Sequence, residues 1–289
     1  MRHGLTGHGD GHSRWRRFAL AALLAFATLL AVAPRAHGAT GMEVAVQDDD
    51  VFVAGSAIGR AKGVSYAHEL GVTRIRVNVT WADTVIKSQR KDRKAPKTIK
   101  YDWTAYDQLV LATRGTGINL QLALTGPAPA FASGDHKIGP VKPKAKYYAD
   151  FARAAAEHFG ANVDRYSIWN EPNYVSWISP NKGAGRIYRA LYVAGYKAIK
   201  KAQPSAQVLI AETSPYKIVK KGKQFASSPL AFLREMTCSN ASFSKARCGG
   251  LVADGYAHHP YDFDHKPSYR FPGSDNATLA TLGNLTGAL

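Results

Sequence analysis

The sequence predicts an α/β fold, a parallel (β/α) barrel of the TIM type with about six of its eight strand–helix units present. Three observations lead there. Short, continuous apolar runs alternate six times with helix-like runs, as parallel strands joined by helical crossovers require. The apolar runs lack the alternation of a half-exposed strand, which suits burial on both faces. Residues suited to chemistry gather at the ends of several different runs, as on the C-terminal face of a barrel. An open doubly wound sheet shares the first two features. The phosphate-loop signals are weak, because Gly55-Ser56-Ala57-Ile58-Gly59 is too short for a dinucleotide fingerprint and no Walker-type run occurs.

Residues 1–38 read as a secretion signal. Arg14, Arg16 and Arg17 lead into a 16-residue apolar run, Phe18 to Ala33, shorter than the about 20 residues of a membrane-spanning helix. Ala36-His37-Gly38 supplies small residues for cleavage, with cleavage after Ala39 the alternative and an uncleaved signal anchor the other reading. The residues after Arg16-Arg17 fit a twin-arginine signal poorly, so the general secretory route is expected. Residues 39–289 are then an exported or wall-associated barrel domain, with no stable membrane span after cleavage.

The strands are expected at Met42–Val46, Arg74–Val79, Ile118–Leu124, Arg165–Trp169, Val208–Ala211 and Val252–Ala257. Between them, Tyr101-Asp102-Trp103 opens a helix with Asp102 at a capping position. Tyr147 to Phe159 is a helix with apolar Phe151, Ala154, Ala155 and Phe159, ended by Gly160. Ile187 to Ala202 is another, followed by Pro204, and Asp275 to Ala288 reads as the sixth.

Cys238 and Cys248 have nine residues between them. In an exported chain an even pair favours a disulfide; two buried free thiols are the alternative. Two cysteines without a histidine at ligand spacing do not make a metal site. A metal reading of His258, His259, Asp262, Asp264 and His265 is disfavoured, because adjacent residues face opposite ways on an extended segment and nothing else supplies ligand spacing. No metal or cofactor is expected.

The 38 Lys and Arg exceed the 21 Asp and Glu, giving +17. Five Arg and one Asp of the signal carry +4 of it. The rest equals the excess of three loops: 87–100, with seven basic residues and Asp92; 135–146, with four Lys and Asp135; and 216–223, with four Lys. Each comes after a strand, so each is expected on one face of the barrel. There they would attract an anionic carbohydrate polymer, such as an acidic exopolysaccharide or wall glycan. Three merely solvated loops are the plainer alternative. No motif points to nucleic acid.

The chemistry centres on Ile168-Trp169-Asn170-Glu171-Pro172-Asn173. A carboxylate at a strand end, with an amide before it and a rigid turn after it, suits a group that protonates a glycosidic oxygen. Asn170 can bind a sugar hydroxyl. Arg74 and Arg76 share one side of their strand, and a buried Arg needs a carboxylate partner. His259 and Tyr261 point the same way and are expected to line the site. Trp81, Phe131, Tyr174 and Trp177 come after strand ends, where ring faces can meet sugar rings or simply pack in the core.

Arg76 with Trp81, Asn170-Glu171-Pro172 and His259-x-Tyr261 stand in the order found in glycoside hydrolase clan A barrels. Over residues 42–289 the chain resembles the cellulase-like (family 5) and xylosidase-like (family 39) members. The resemblance implies a retaining mechanism, with Glu171 as acid/base, Asn170 near the substrate 2-hydroxyl, and Arg76 and Tyr261 supporting a nucleophile. That nucleophile would be a Glu ending strand seven. Here the sequence departs, since no Glu occurs after Glu235. A fragment or a broken barrel is expected, without appreciable glycosidase activity by itself. Glu212, ending strand five, is expected to contact the sugar.

Overall fold

Side-chain alternation along the second strand sets the architecture of the computed structural model, which describes residues 41–55, 58–244 and 247–289. The secretion signal expected over 1–38 lies outside them. In Arg74–Thr80, Ile75, Val77 and Val79 are wholly buried on one side, while Arg74, Arg76 and Asn78 occupy the other. Each such apolar side chain contributes roughly 1.5–3 kcal/mol on burial, an upper figure because the unfolded chain is itself partly collapsed.

Six strands form one all-parallel sheet, curled as a half-barrel. They are β1 (Ala45–Val46), β2 (Arg74–Thr80), β3 (Asn119–Thr125), β4 (Arg165–Ile168), β5 (Gln207–Thr213) and β8 (Gly255–His258), paired in that order. The helices are α1 (Arg60–Glu69), α2 (Thr104–Thr113), α3 (Ala145–Phe159), α4 (Ala184–Ala202) and α5 (Pro229–Thr237). Each lies in the crossover between one strand and the next. Sequence order and sheet order agree, as right-handed βαβ crossovers dictate. Among the described residues, no helix is long and apolar enough to cross a membrane.

The helices cover the apolar side. In α3, Tyr148, Phe151, Ala152, Ala155, Ala156 and Phe159 are buried, an apolar stripe at helical spacing. α4 buries Tyr188, Leu191, Tyr192, Gly195 and Ile199. At Gly195 a β-carbon would come within 2.9 Å of the Tyr148 ring and 3.0 Å of Ile168, so α4 needs glycine to lie this close.

Several expectations need correction. The strands are not apolar on both faces: the concave side carries Arg74, Arg76, Asn78, Gln121 and Ser167. The helix cap at Asp102 sits one residue earlier than a true N-cap, with its Oδ1 accepting from Thr104 N at 3.0 Å. The basic run 216–223 is largely a hairpin, β6 (Ile218–Lys220) with β7 (Lys223–Ala226), turned by Lys221 and Gly222, both with positive φ. The helix expected over 275–288 is replaced by a 3-10 turn, Leu279–Thr281, and a single helical turn, Gly283–Thr286. A reciprocal Thr278–Thr281 capping box closes the first. Ahead of it Ala277 is buried, donating its N–H to Pro215 O at 2.8 Å.

The loops at the C-terminal ends of the strands are joined to one another. Ala130 N donates to Arg90 O at 3.0 Å, and His136 Nδ1 donates to Arg93 O at 2.9 Å. Lys142 N donates to Ser179 O at 2.9 Å and Val175 N to Phe225 O at 2.7 Å. Loops from β2, β3 and β4 and the β6–β7 hairpin thus form one rim. Cys238 and Cys248, Cα atoms 5.6 Å apart, are disulfide-bonded between α5 and β8.

Candidate active site

Two neighbouring strand ends leave regular geometry together. After β4, Trp169 and Glu171 have φ of 71° and 39°. At the end of β5, Ala211 and Glu212 have φ of 87° and 51°. Left-handed backbone at non-glycine residues costs about 1–3 kcal/mol each and concentrates where side chains must be aimed. The β5–β8 register shifts between Ala211 and Thr213. Glu212 is therefore the extra residue of a β-bulge, a device that re-aims a side chain. Glu171 N donates to Glu212 O at 2.9 Å, tying the two ends. From outside the sheet, the buried hydroxyl of Tyr188 on α4 accepts from Ala211 N at 2.6 Å and donates to Ile168 O at 3.0 Å.

On the concave side these ends assemble a charged cluster. Arg76 Nε donates to Glu212 Oε1 at 3.2 Å, and Arg76 Nη2 grips Glu212 Oε2 as well. Arg76 Nη2 also donates to Asn170 Oδ1 at 3.1 Å, and Nη1 donates to Gln47. Gln121 Nε2 lies 3.4 Å from Glu212 Oε1 and donates to Ser167 Oγ at 3.1 Å. The Glu212 side chain is 1% exposed. Burial alone would raise its pKa. The Arg76 charge, with hydrogen bonds from His259 and Arg76, outweighs burial and lowers it to about 2.

His259, just past β8, spans the two carboxylates. Its Nδ1 is 3.1 Å from Glu171 Oε1, and its Nε2 is 3.4 Å from Glu212 Oε2. Tyr261 stacks on the imidazole at 5.5 Å and 17°, with its hydroxyl 3.2 Å from Nδ1. Burial pulls the His259 pKa down, but its bonds to Glu171 and Glu212 outweigh this and leave it raised. Glu171 is the more open carboxylate, with 17% of its side chain exposed. The adjacent His258 serves the fold: it accepts from Thr213 Oγ1 at 2.8 Å and donates to Ala277 O at 2.6 Å, and burial lowers its pKa.

The structure thus brings together Glu171, Asn170, Arg76, His259, Tyr261 and Glu212. Two expected roles are corrected. Trp81 is wholly buried, stacked on Phe151 at 5.6 Å, and belongs to the core; its place after β2 put it under the loops, not on them. Glu212 is a buried anchor behind His259 and not a surface for a sugar. Phe131 is also buried, edge-on to Tyr147. Trp177 packs partly buried against the core, and its carbonyl accepts from Trp169 Nε1 at 3.1 Å. Arg74 turns to Glu43 and Asp164 at the opposite end of the sheet.

Sequence reasoning missed Gln121, which stands opposite Arg76 in register, and Gln47. It also missed Phe263, 86% exposed and edge-on to Tyr261 at 5.1 Å. Gln121 alone carried a signal, as a polar residue inside an apolar strand. Among the described residues, no group of three or more His, Cys, Asp or Glu is placed to hold a metal ion. Cavities of about 560 Å³ by the β2 loop and about 540 Å³ by the hairpin contain neither carboxylate of the cluster; the cluster faces the concave side of the sheet.

No protein-family model matches the chain, and no curated protein matches it. Solved structures do. A family 39 glycoside hydrolase from the gut symbiont Bacteroides cellulosilyticus is 19% identical over 59% of this chain and 31% of its own, with a TM-score of 0.40. The GH39 enzyme from Xanthomonas axonopodis pv. citri is 18% identical over 68% of this chain and 47% of its own, TM-score 0.44. A monomeric beta-xylosidase from Caulobacter crescentus is 20% identical over 68% of this chain and 48% of its own, TM-score 0.43. The chain therefore matches from 31% to 48% of the length of each.

Proposed function

We propose that the chain carries the acid/base side of a retaining glycoside hydrolase site of clan A type, acting on O-glycosidic bonds of a carbohydrate polymer outside the cell. One observation carries this reading. Glu171, the more open of the two carboxylates in the cluster, is held at a strained strand end beside Asn170, with a titratable imidazole 3.1 Å away. A general acid needs reach to the leaving oxygen and a route by which its proton is restored. Among the described residues, Asn170 Nδ2 has no partner in the cluster, which suits a donor kept for a sugar hydroxyl. The signal-like sequence over 1–38 and the disulfide support export. The basic rim supports an anionic polymer.

A second reading, carbohydrate binding without hydrolysis, is favoured by the burial of Glu212. Retention requires two carboxylates about 5–5.5 Å apart, both reaching the sugar, and His259 stands in front of Glu212. The test is to assay the full chain on aryl glycosides with good and poor leaving groups while titrating oligosaccharides. Under the first reading, Glu171→Ala should lower whatever hydrolysis the chain shows by roughly 10²–10⁴-fold on poor leaving groups and much less on good ones. Saturable binding with no turnover would select the second reading. Absence of both would sink the two together.

A further inference from the structure

Side chains from three strand ends stand in one row: Glu212 from β5, His259 after β8 and Glu171 after β4. Glu212 is ionised and accepts hydrogen bonds only. It is 1% exposed and gripped by Arg76, so it does not change protonation in the range where histidine does. Its Oε2 lies 3.4 Å from His259 Nε2. A ring lone pair facing that buried oxygen would be repelled, whereas an N–H is attracted; at Nδ1, which faces the more open Glu171, the Tyr261 hydroxyl 3.2 Å away supplies a donor that a lone pair can accept. The neutral imidazole is thereby directed to keep its hydrogen on Nε2, the logic by which a buried carboxylate selects a histidine tautomer. Nδ1 is left as the position that gains and loses a proton. It faces Glu171 Oε1 at 3.1 Å and the Tyr261 hydroxyl at 3.2 Å.

We propose that Glu212 is a positioning residue: it fixes one His259 proton on Nε2, so that His259 Nδ1 and Glu171 Oε1 share a single exchangeable proton. The step balances. An O–H bond forms on Glu171 as the N–H bond at Nδ1 breaks, and the positive charge of the ring and the negative charge of the carboxylate vanish together. When Glu171 has passed that proton on, an incoming proton at Nδ1 restores the pair.

The charged and titratable groups around the imidazole agree with this. Glu171 and Glu212 favour the imidazolium and Arg76 on β2 opposes it, while the charge of His259 weighs against protonation of the neighbouring His258. Tyr261 keeps its hydroxyl proton, because burial raises its pKa. The inference goes beyond the proposed function and depends on it only for the use to which Glu171 puts the proton.

The test is nitrogen NMR of the full chain labelled at histidine, titrated through the imidazole range. The His259 signal is assigned by its loss in His259→Gln. Above the midpoint, the hydrogen is expected on Nε2 and the lone pair on Nδ1. In Glu212→Gln the midpoint should fall by about 1–2 pH units, since an opposite charge within reach is removed, and both tautomers should become populated. An Nδ1–H tautomer in the native chain, or an unchanged midpoint and tautomer in Glu212→Gln, would overturn the proposal. Should Glu212→Gln not fold, Glu171→Gln decides: with Glu212 intact the hydrogen must stay on Nε2, and its transfer to Nδ1 overturns the assignment. These spectra read protons and not turnover, so the glycosidase reading can fail while this one stands, and the reverse.

Discussion

Arg76 holds Glu212 with two guanidinium nitrogens across 136 residues of chain, joining β2 to β5 on the concave face of the sheet. Both side chains are largely withdrawn from water, so removal of one strands the other. Arg76→Met is expected to cost about 3–5 kcal/mol in urea unfolding. Arg76→Met combined with Glu212→Leu should recover much of that loss, because no buried charge is then left alone. A double variant as unstable as the single one would show that the pair contributes by packing and not by charge.

The same pair predicts an acid limb of stability. The folded pKa of Glu212, about 2, lies below the ordinary value of 4.5. The stabilisation is therefore full above pH 4.5 and is lost as pH falls toward 2, amounting to about 3 kcal/mol at most. His259 acts in the opposite direction. Its pKa is raised, so its contribution is full below the usual histidine value and is lost as pH rises through the folded one. Unfolding free energy measured against pH should show both limbs, and Glu212→Gln should flatten the acid one.

Tyr188 serves both strand ends with one hydroxyl. Tyr188→Phe keeps the ring but leaves Ala211 N and Ile168 O without that partner. A loss of about 1–3 kcal/mol is expected, with the His259 NMR midpoint displaced because Glu212 is the next residue. Stability lost with the midpoint unmoved would mean that β5 holds Glu212 without help from α4.

The Cys238–Cys248 bond closes a short loop. Thiol counting on unreduced native protein should find no free thiol, and reduction should cost about 2–3 kcal/mol. Two reactive thiols in native protein would remove the bond from the account.

The basic rim yields a binding prediction. Lys91, Lys94 and Lys97 are exposed and, among the described residues, have no ion-pair partner. Changing all three to Gln should weaken binding of an anionic polysaccharide and reduce its salt dependence, while binding of a neutral one stays the same. Equal weakening of both would show that charge attraction is not what the loop supplies.

Much of the architecture was legible because the parallel strands are short and apolar on the helix-covered side and α3 and α4 carry clean helical stripes. Glu171, Asn170, His259 and Tyr261 were legible because strand-end position and two-residue spacing are local properties. What the sequence hid was depth. Trp81 and Glu212 occupy the same kind of strand-end position as Glu171, yet one lies in the core and the other behind an imidazole. That difference depends on a bulge at Glu212 and on a helix packed under Trp81, both set by residues far away in the chain. The breaking of the helix expected over 275–288 was hidden for a similar reason: Ala277 is claimed by Pro215 and His258, contacts that no local pattern announces.

The mutual stitching of the strand-end loops has a consequence for any ligand that docks on them. Loops held only at their bases would have to be ordered by what they bind, and that ordering would be subtracted from affinity. Here Arg90 and Arg93 offer their carbonyls to the neighbouring loop, and the hairpin is laced to the segment after Glu171. The chain gives up this conformational freedom when it folds, not when a ligand arrives, so the rim offers any ligand a pre-shaped surface. A change in any one loop is correspondingly expected to be felt by its neighbours.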